Sequence, residues 1–392
     1  MKICNVTSVH PRYDVRIFYK QCWAQSLRGD THLVVADSGK DEIKDGIHIH
    51  GVKGYKNRFL RMTLAVWGVY RRAKSIKAEI YILHDPELLS IALLLKRTGA
   101  KVFFDSHECY TETLQGSETY WISPLFKKYV VRAYQHIEAF VLKRLAGVIA
   151  ATDHISEIIG KYTKNVFIVH NYALLKEFSE YKQSASDYAT RILYCGGITE
   201  GRGILQITRA LEFCRNDIKL ILCGTFSPDI LLEQCKSLSG WRKIEYRGYV
   251  DRQQLQHLAK KCFCGMCCLL PTKDFATTNA LKIFEYAGMY LPVIASDFDL
   301  WREIIGNGNR PFGLLVNPEN PQEIANAIDK LYENKALAKQ LGKNGRNAVE
   351  TRYNFESEME GYLKWLEQGE KLTNKTLEKF HKLSRNTPQK TC

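Results

Sequence analysis

The residue pattern with the clearest chemical meaning is a glycine-rich turn at 194–203, which reads Tyr-Cys-Gly-Gly-Ile-Thr-Glu-Gly-Arg-Gly. The residues before it predict a strand, and those after it predict a helix. Backbone N–H groups at the start of a helix attract anions, and glycines allow close backbone approach to a ligand. Arg202 adds a guanidinium that can pair with phosphate oxygens. The turn therefore predicts a phosphate site, with an ordinary strand-to-helix turn as the alternative.

A second candidate is the polar loop and helix that follow Pro271, where Lys282 and Glu285 are three residues apart. Side chains at that spacing share one face of a helix. A carboxylate there could accept two hydrogen bonds from a ribose diol, and the lysine could neutralise phosphate. The alternative is an ordinary lysine–glutamate pair on the surface.

Three histidines, His10, His84 and His107, stand near the ends of predicted strands. Ligands bind at the carboxyl ends of strands in open parallel sheets, so these side chains are candidates for a site. Taken singly, each is more often structural.

The cysteines Cys262, Cys264, Cys267 and Cys268 have spacings that could suit a metal, but successive strand residues point to opposite faces. We expect a buried strand there, with cysteine acting as a small apolar residue.

The net charge of +14 is concentrated in three segments. Residues 51–77 hold eight Lys or Arg and no acid, residues 121–144 hold five and one acid, and residues 371–392 hold six and one acid. The first segment interleaves its charges with aromatic residues, which favours contact with an anionic membrane surface. A solvated helix face is the alternative. Nucleic acid is disfavoured because no recognised nucleic-acid-binding motif is present.

Strands and helices alternate through most of the chain, which predicts two α/β units with parallel sheets. We expect a first domain at 1–175, a linker at 176–190 and a second domain at 191–350. A helix at 351–370 is expected to pack back toward the first domain, and 371–392 to form a flexible basic tail. No apolar run reaches the length of a membrane span. The first residues read as a strand rather than a signal peptide, so we expect a cytoplasmic protein.

Several motifs, taken in order over residues 1–365, resemble family 4 of the retaining glycosyltransferases, which have the GT-B fold. They are the turn at 194–204 and the segments Val9-His-Pro-Arg-Tyr-Asp-Val-Arg-Ile-Phe18, His84-Asp-Pro-Glu-Leu-Leu89, Asp105-Ser-His-Glu108, Lys282-Ile-Phe-Glu-Tyr286 and Leu291-Pro-Val-Ile-Ala-Ser296. The resemblance implies sugar transfer from a nucleotide sugar with retention, two Rossmann-like domains facing a cleft, and no metal or other cofactor.

The same resemblance implies roles for individual residues. His107, Arg202 and Lys282 are the expected catalytic groups, with Glu285 on the ribose. The expected donor contacts are Gly196, Gly197, Arg202, Gly203, Gly224, Gly248, Tyr249, Val250, Asn279, Lys282 and Glu285. The expected acceptor side is His10, Asp14, Arg16, His84, Asp85 and Glu108. The donor is expected to be a UDP- or GDP-sugar, and the acceptor a lipid-linked or oligosaccharide molecule in surface-polysaccharide synthesis (capsule, O-antigen or exopolysaccharide).

Three positions depart from the family pattern. Gly197 stands where an arginine is usual, Thr277 where a glutamate is usual, and Tyr290 where a glycine is usual. These departures leave open the alternative that the protein is a basic binding protein that has lost catalysis. A nucleotide-sugar epimerase, which also uses this fold, is a further alternative. Asp297 and Asp299 form a D-x-D pattern, which in GT-A enzymes holds a metal and the diphosphate. The same stretch fits the family-4 pattern, which we prefer.

Overall fold

The computed structural model describes residues 1–115, 123–181, 190–306 and 310–368. The chain divides into two compact units. Unit 1 is formed by Met1–Asn171 together with the end of the chain from Phe355, and unit 2 by Tyr172–Asn354. The predicted tail at 371–392 and part of the predicted linker, 182–189, lie outside the described residues.

Unit 1 is built on an eight-stranded sheet in the order β3-β4-β2-β1-β5-β6-β7-β8. Its pairs are parallel, except that β3 runs antiparallel to β4. The strands are β1 (Lys2–Thr7), β2 (Asp30–Val35), β3 (Glu42–Lys44), β4 (Ile47–Gly51), β5 (Ile80–Leu83), β6 (Lys101–Ser106), β7 (Gly147–Ala150) and β8 (Val166–Ile168). The central strands are buried along nearly their whole length, as expected for a parallel sheet covered on both faces.

The helices of unit 1 connect these strands and pack in two separate core clusters. Those that lead toward β5, β6, β7 and β8 contribute to one cluster, and the helical turns between β1 and β2 contribute to the other. They are α1 (Trp23–Ser26), which continues wider helical turns at Val15–Cys22, α2 (Arg58–Leu60), α3 (Val66–Ile76), α4 (Leu89–Lys96), α5 (Tyr110–Gln115), α6 (Pro124–Leu142) and α7 (Asp153–Ile159).

Unit 2 has a six-stranded parallel sheet in the order β11-β10-β9-β12-β13-β14. The strands are β9 (Arg191–Cys195), β10 (Lys219–Cys223), β11 (Ile244–Gly248), β12 (Cys262–Cys267), β13 (Val293–Ser296) and β14 (Gly313–Val316). The helices are α8 (Ile204–Phe213), α9 (Ile230–Lys236), α10 (Arg252–Ala259), α11 (Lys273–Ala276), α12 (Leu281–Gly288), α13 (Asp299–Ile305), α14 (Pro321–Glu333) and α15 (Lys335–Thr351). A glycine-rich turn joins β9 to α8, and single glycines stand at the ends of β10 and β11.

The last described helix, α16 (Glu356–Gln368), completes unit 1. Trp365 is fully buried, and its ring contacts Phe103 and Phe167 on two strands of that unit. The hydroxyl of Tyr362 accepts a hydrogen bond from Gln25 and donates one to Gln21. Aromatic packing and buried hydrogen bonds therefore hold the end of the chain on the unit with which it begins.

Two parts of the sequence prediction need correction. The strands β3 and β4 were not predicted, because they are short and rich in histidine and charged residues. The linker predicted from residue 176 begins too early, since Leu175–Phe178 form a helical turn and Phe178 and Tyr181 are buried in unit 2. Arg346 donates hydrogen bonds to the carbonyls of Phe178 and Gly288, which ties this segment to unit 2.

Candidate functional site

The glycine-rich turn of unit 2 follows β9 and leads through a helical turn, Glu200–Arg202, into α8. Gly196 has a φ of 127°, which favours glycine. Its N–H donates to the carbonyl of Cys223, and the N–H of Ile198 donates to Thr225, so the turn is held along the neighbouring strand end. Gly203 also has a positive φ and stands directly before α8. The predicted strand, turn and helix are thus present.

Two cationic side chains converge on this turn. A Cβ atom placed on Gly196 would lie 3.4 Å from Lys282 Nζ and 3.6 Å from Arg202 Nη1. One placed on Gly197 would lie 3.7 Å from Arg202 Nη1. Arg202 comes from the turn itself and Lys282 from α12, so two separate elements bring positive charge to the same backbone. This arrangement can hold a doubly charged anion such as a diphosphate.

The ammonium of Lys282 has no hydrogen-bond partner among the described residues, although Lys282 is only 8% exposed. Its Nζ lies 3.9 Å from the centroid of the Tyr194 ring, a cation–π contact that offsets part of the cost of burial. The amide oxygen of buried Asn279 also lacks a partner. Buried polar atoms are nearly always hydrogen-bonded. Two such unpaired atoms near the start of one helix indicate a binding site.

Glu285, on the same helix, is held by a residue that the sequence did not identify. Arg252 Nη2 lies 2.9 Å from Glu285 Oε1 and also contacts Glu177. Burial lowers the pKa of Arg252, but the charges of the two carboxylates raise it overall. The capping box of Asp251 and Gln254 marks the start of α10. Nothing in the sequence marks the pairing itself, since Glu177 is 75 residues from Arg252.

The remaining predicted donor residues lie on neighbouring turns of unit 2. The N–H of Gly224 donates to the carbonyl of Gly248 over 2.7 Å, which joins the turns after β10 and β11. A Cβ on Gly224 would lie 1.9 Å from the Gly196 carbonyl oxygen, so only glycine fits there. Tyr249 is 83% exposed, and Val250 packs against the core. An exposed aromatic ring beside a glycine turn can stack on a planar ligand.

In unit 1, the predicted acceptor residues form two groups, and the first is centred on Asp85. This carboxylate pairs with His10 at 2.7 Å and accepts hydrogen bonds from the N–H of Ser8 and the hydroxyl of Thr7. Burial raises the pKa of Asp85, but the bonds and charge of His10 lower it to about 2. Burial also lowers the pKa of His10, but Asp85 outweighs it and raises that pKa to about 9. The pair is therefore charged at neutral pH.

The second group is centred on Asp105, which is fully buried. Arg16 contacts both oxygens of this carboxylate, and His84 and Gln21 each contribute one hydrogen bond. Burial raises the pKa of Asp105, but the charge of Arg16 and the bond from His84 lower it well below its usual value. Asp14 lies at the start of the helical turns and accepts the N–H groups of Arg16 and Ile17. Arg16, His84 and Asp14 are therefore occupied within unit 1.

His107 and Glu108 follow β6 at the edge of the sheet that also carries His10. The rings of His10 and His107 meet edge to face, with centroids 4.8 Å apart. Burial, together with the charges of His10 and Arg16, lowers the pKa of His107 despite the opposing effect of Asp105. His107 Nδ1 lies 3.3 Å from the Asp105 carbonyl oxygen, so the neutral ring donates there and leaves Nε2 as an acceptor. Glu108 is exposed.

The two patterns that could suit a metal have other contacts. The cysteines lie on β12 and at its end, where all four are buried as the sequence predicted. Burial raises the pKa of the Cys267 thiol to about 11, which keeps it protonated. Arg302 bridges Asp297 and Asp299, and the side chain of Asp299 is 97% exposed. The cysteines therefore serve the core, and the D-x-D pair is held by a single guanidinium.

Comparison with known proteins finds a family match that lies within unit 2. Residues 176–348 match the family described as Glycosyl transferases group 1. An uncharacterized glycosyltransferase of Methanocaldococcus jannaschii, MJ1069, is 30% identical over 203 residues, which are 50% of each chain. The chain spans about half or less of the length of the curated relatives it matches.

Solved structures are similar over almost the whole chain. Sucrose-phosphate synthase from Thermosynechococcus elongatus has a TM-score of 0.76 at 16% identity, covering 94% of this chain and 98% of that one. Anabaena Alr3699/HepE in complex with UDP and glucose has a TM-score of 0.71 at 14% identity, covering 94% and 100%. Both are GT-B glycosyltransferases, and at these identities the likeness shows the fold. The chain therefore has the GT-B fold, and its residues 176–348 match the glycosyl transferases group 1 family.

Proposed function

We propose that this protein is a retaining glycosyltransferase that moves a sugar from a nucleoside diphosphate sugar to an acceptor. The observation that carries the proposal is the buried, unpaired ammonium of Lys282 beside Arg202 at the Gly196 turn. An uncompensated buried charge is costly, and a diphosphate would compensate both cations. The family match over 176–348 supports the same assignment, and HepE, a structural neighbour, was solved with UDP and glucose.

In the proposed reaction, the bond between the anomeric carbon and the diphosphate oxygen breaks, and a bond to the acceptor oxygen forms on the same face. The proton of the acceptor hydroxyl passes to the leaving phosphate oxygen. Negative charge grows on the diphosphate as the bond breaks. Lys282, Arg202 and the backbone N–H groups of the turn are fixed in place, so they stabilise this charge without reorganisation. No metal enters this scheme.

Unit 1 is proposed to contribute the acceptor side. The neutral His107 offers Nε2 as a hydrogen-bond acceptor, and the charged His10 lies beside it. Arg16, His84, Asp14 and Asp85 are engaged inside the unit, so we assign them to positioning these two rings. A lipid-linked or oligosaccharide acceptor in surface-polysaccharide synthesis, used at the inner face of an anionic membrane, is the proposed context. The basic segments of unit 1 support it.

The first test is isothermal titration of the purified protein with UDP, GDP and ADP, with and without Mg²⁺. We expect binding of one diphosphate without metal. Glu285→Ala should weaken that binding at least tenfold if this carboxylate holds the ribose, whereas Glu233→Ala, an exposed change on α9, should not. Dependence on Mg²⁺ would support Asp297 and Asp299 instead.

A second test follows the fate of the nucleotide sugar. Incubation of the preferred sugar nucleotide with a membrane extract should yield free diphosphate and labelled glycolipid or oligosaccharide. Conversion to another sugar nucleotide without an acceptor would identify an epimerase. Binding without any turnover would identify a protein that has lost catalysis.

A further inference from the structure

We propose that unit 1 docks on an anionic lipid bilayer through one outer surface, formed by α6 and by residues 59–67. The feature that leads to this proposal is the outer side of α6. Six large apolar side chains on this one helix are between 38% and 81% exposed: Leu125, Phe126, Tyr129, Val130, Ile137 and Phe140.

The exposed residues of α6 are regularly spaced rather than scattered. Positions 126, 130, 133, 137 and 140 repeat at intervals of four and three, which places them along one side of the helix. The helix also carries buried residues: Val131 packs with Leu114, and Val141 and Leu142 join the main core of unit 1. A helix with apolar residues on both sides normally has neighbours on both sides. Among the described residues, nothing covers this second side, which makes it a candidate docking face.

A second exposed apolar group runs from α2 into the start of α3. Phe59, Met62, Leu64 and Trp67 are between 45% and 74% exposed. Both α3 and α6 pack against α4, so they lie on the same face of the sheet. Each also ends a few residues before the next strand begins. Their N-terminal parts therefore lie toward the edge where the strands end, which is the edge that carries His10 and His107.

The charges around these groups identify the partner. Residues 51–77 contain no acidic residue, and the only acid in 123–144 is Glu138, which is buried. Lys128 and Arg132 are exposed on α6, and Lys143 is exposed directly after it. Two copies meeting through this surface would bring like charges together. An anionic bilayer accepts both the basic side chains and the inserted apolar ones.

The docking surface rests on the proposed function, because its purpose would be to bring the protein to an acceptor carried on a lipid. A protein lying on the bilayer through this surface would hold the edge with His10 and His107 close to the headgroups. An acceptor carried on a lipid could then reach that edge while its chain stays in the membrane. Donor binding in unit 2 does not depend on this surface, so the two proposals can fail separately.

The experiment is co-flotation of the full chain with vesicles of neutral phosphatidylcholine and with vesicles that also contain phosphatidylglycerol. We expect binding only to the anionic vesicles, and less binding as salt is raised. The triple change Phe126→Ser, Ile137→Ser and Phe140→Ser should reduce binding at least tenfold. The matched control is Phe213→Ser with Ile230→Ser, which removes exposed apolar side chains from unit 2.

The charge contribution is tested with Lys128→Glu and Arg132→Glu, since each basic residue near an anionic surface contributes about fivefold to binding. These exposed changes should leave nucleotide affinity and the melting temperature unchanged. Equal vesicle binding by the wild type and the α6 variants would overturn the proposal and point to the basic end of the chain. A concentration-dependent dimer in solution that the same serine changes abolish would overturn it in favour of a second copy.

Discussion

Two buried charged sites, one in each unit, are treated in opposite ways. In unit 1, Asp105 and Arg16 form a two-point ion pair, and His84 and Gln21 occupy much of what remains. In unit 2, Lys282 is also buried, yet its ammonium has no hydrogen-bond partner among the described residues and lies over the Tyr194 ring. A paired buried charge is part of the fold, whereas an unpaired one is costly unless a ligand completes it. The contrast separates residues that build a site from residues that bind in it.

The largest effect should come from breaking the pair in unit 1. Asp105→Asn leaves the Arg16 guanidinium buried without its full counter-charge, so the free energy of unfolding should fall by about 3–5 kcal/mol. Urea unfolding followed by tryptophan fluorescence measures this. The control is Arg28→Gln, which removes an exposed pair with Glu360 and should cost about 1 kcal/mol or less. Similar losses from the two variants would contradict the distinction.

Removing the unpaired charge in unit 2 should affect binding and not stability. Lys282→Met should weaken diphosphate affinity about a hundredfold, because the preorganised cation is lost. The free energy of unfolding should stay the same or rise, since a costly buried ammonium disappears. Titration calorimetry and urea unfolding measure the two effects. The matched control is Lys236→Met, which removes an exposed lysine from α9. A fall in stability with intact affinity would make Lys282 structural.

The His10–Asp85 pair should give unit 1 a defined pH dependence. The folded pKa of His10 is raised to about 9 from 6.5, so its stabilisation is complete below pH 6.5 and is lost as the pH rises through 9. We expect wild-type stability to fall by about 2 kcal/mol more than that of His10→Gln across this window. His170, which pairs with Glu358, also has a pKa raised to about 9. It is present in the wild type and in His10→Gln, so its contribution to the pH dependence of stability is common to both. If the free energies of unfolding of the two proteins change in parallel with pH, the His10–Asp85 pair contributes nothing to stability.

The smallest effect separates positioning from acceptor contact at Asp14. Asp14→Ala should cost about 1 kcal/mol, because it removes the acceptor for the N–H groups of Arg16 and Ile17. Asparagine is as good an N-cap residue as aspartate, so Asp14→Asn should keep both the stability and the KM for the acceptor. A raised KM with Asn at unchanged stability would indicate direct contact with the acceptor.

Much of the fold follows from the sequence, because buried parallel strands are continuous apolar runs and the glycine turn has a distinctive pattern. The strand at Cys262–Cys267 and the turn into α8 were predicted for these reasons and are present. Strands β3 and β4 were not, since their composition is that of a loop. Long-range pairing is also hidden from sequence: Arg252 with Glu285, and Arg16 with Asp105. The binding roles of Lys282 and Arg202 stay predictions.

Tyr290 shows why one family departure is tolerated. It stands where glycine is usual and has a φ of 59°, in the left-handed region that other residues enter at a cost. The guanidinium of Arg346 lies 5.3 Å from the centroid of its ring, a favourable contact that glycine would lack. The tyrosine therefore adds a side-chain contact, while its backbone takes a conformation that glycine adopts without cost.

The return of α16 to unit 1 has a consequence for the order of biosynthesis. Unit 2 is one continuous stretch of chain, whereas the surface around Phe103 and Phe167 stays uncovered until Trp365 has left the ribosome. Exposed apolar surface in a nascent chain promotes aggregation and chaperone binding. A stop codon just before α16 would leave that surface permanently bare. Expression trials should therefore preserve the chain through residue 368, and tags belong beyond it.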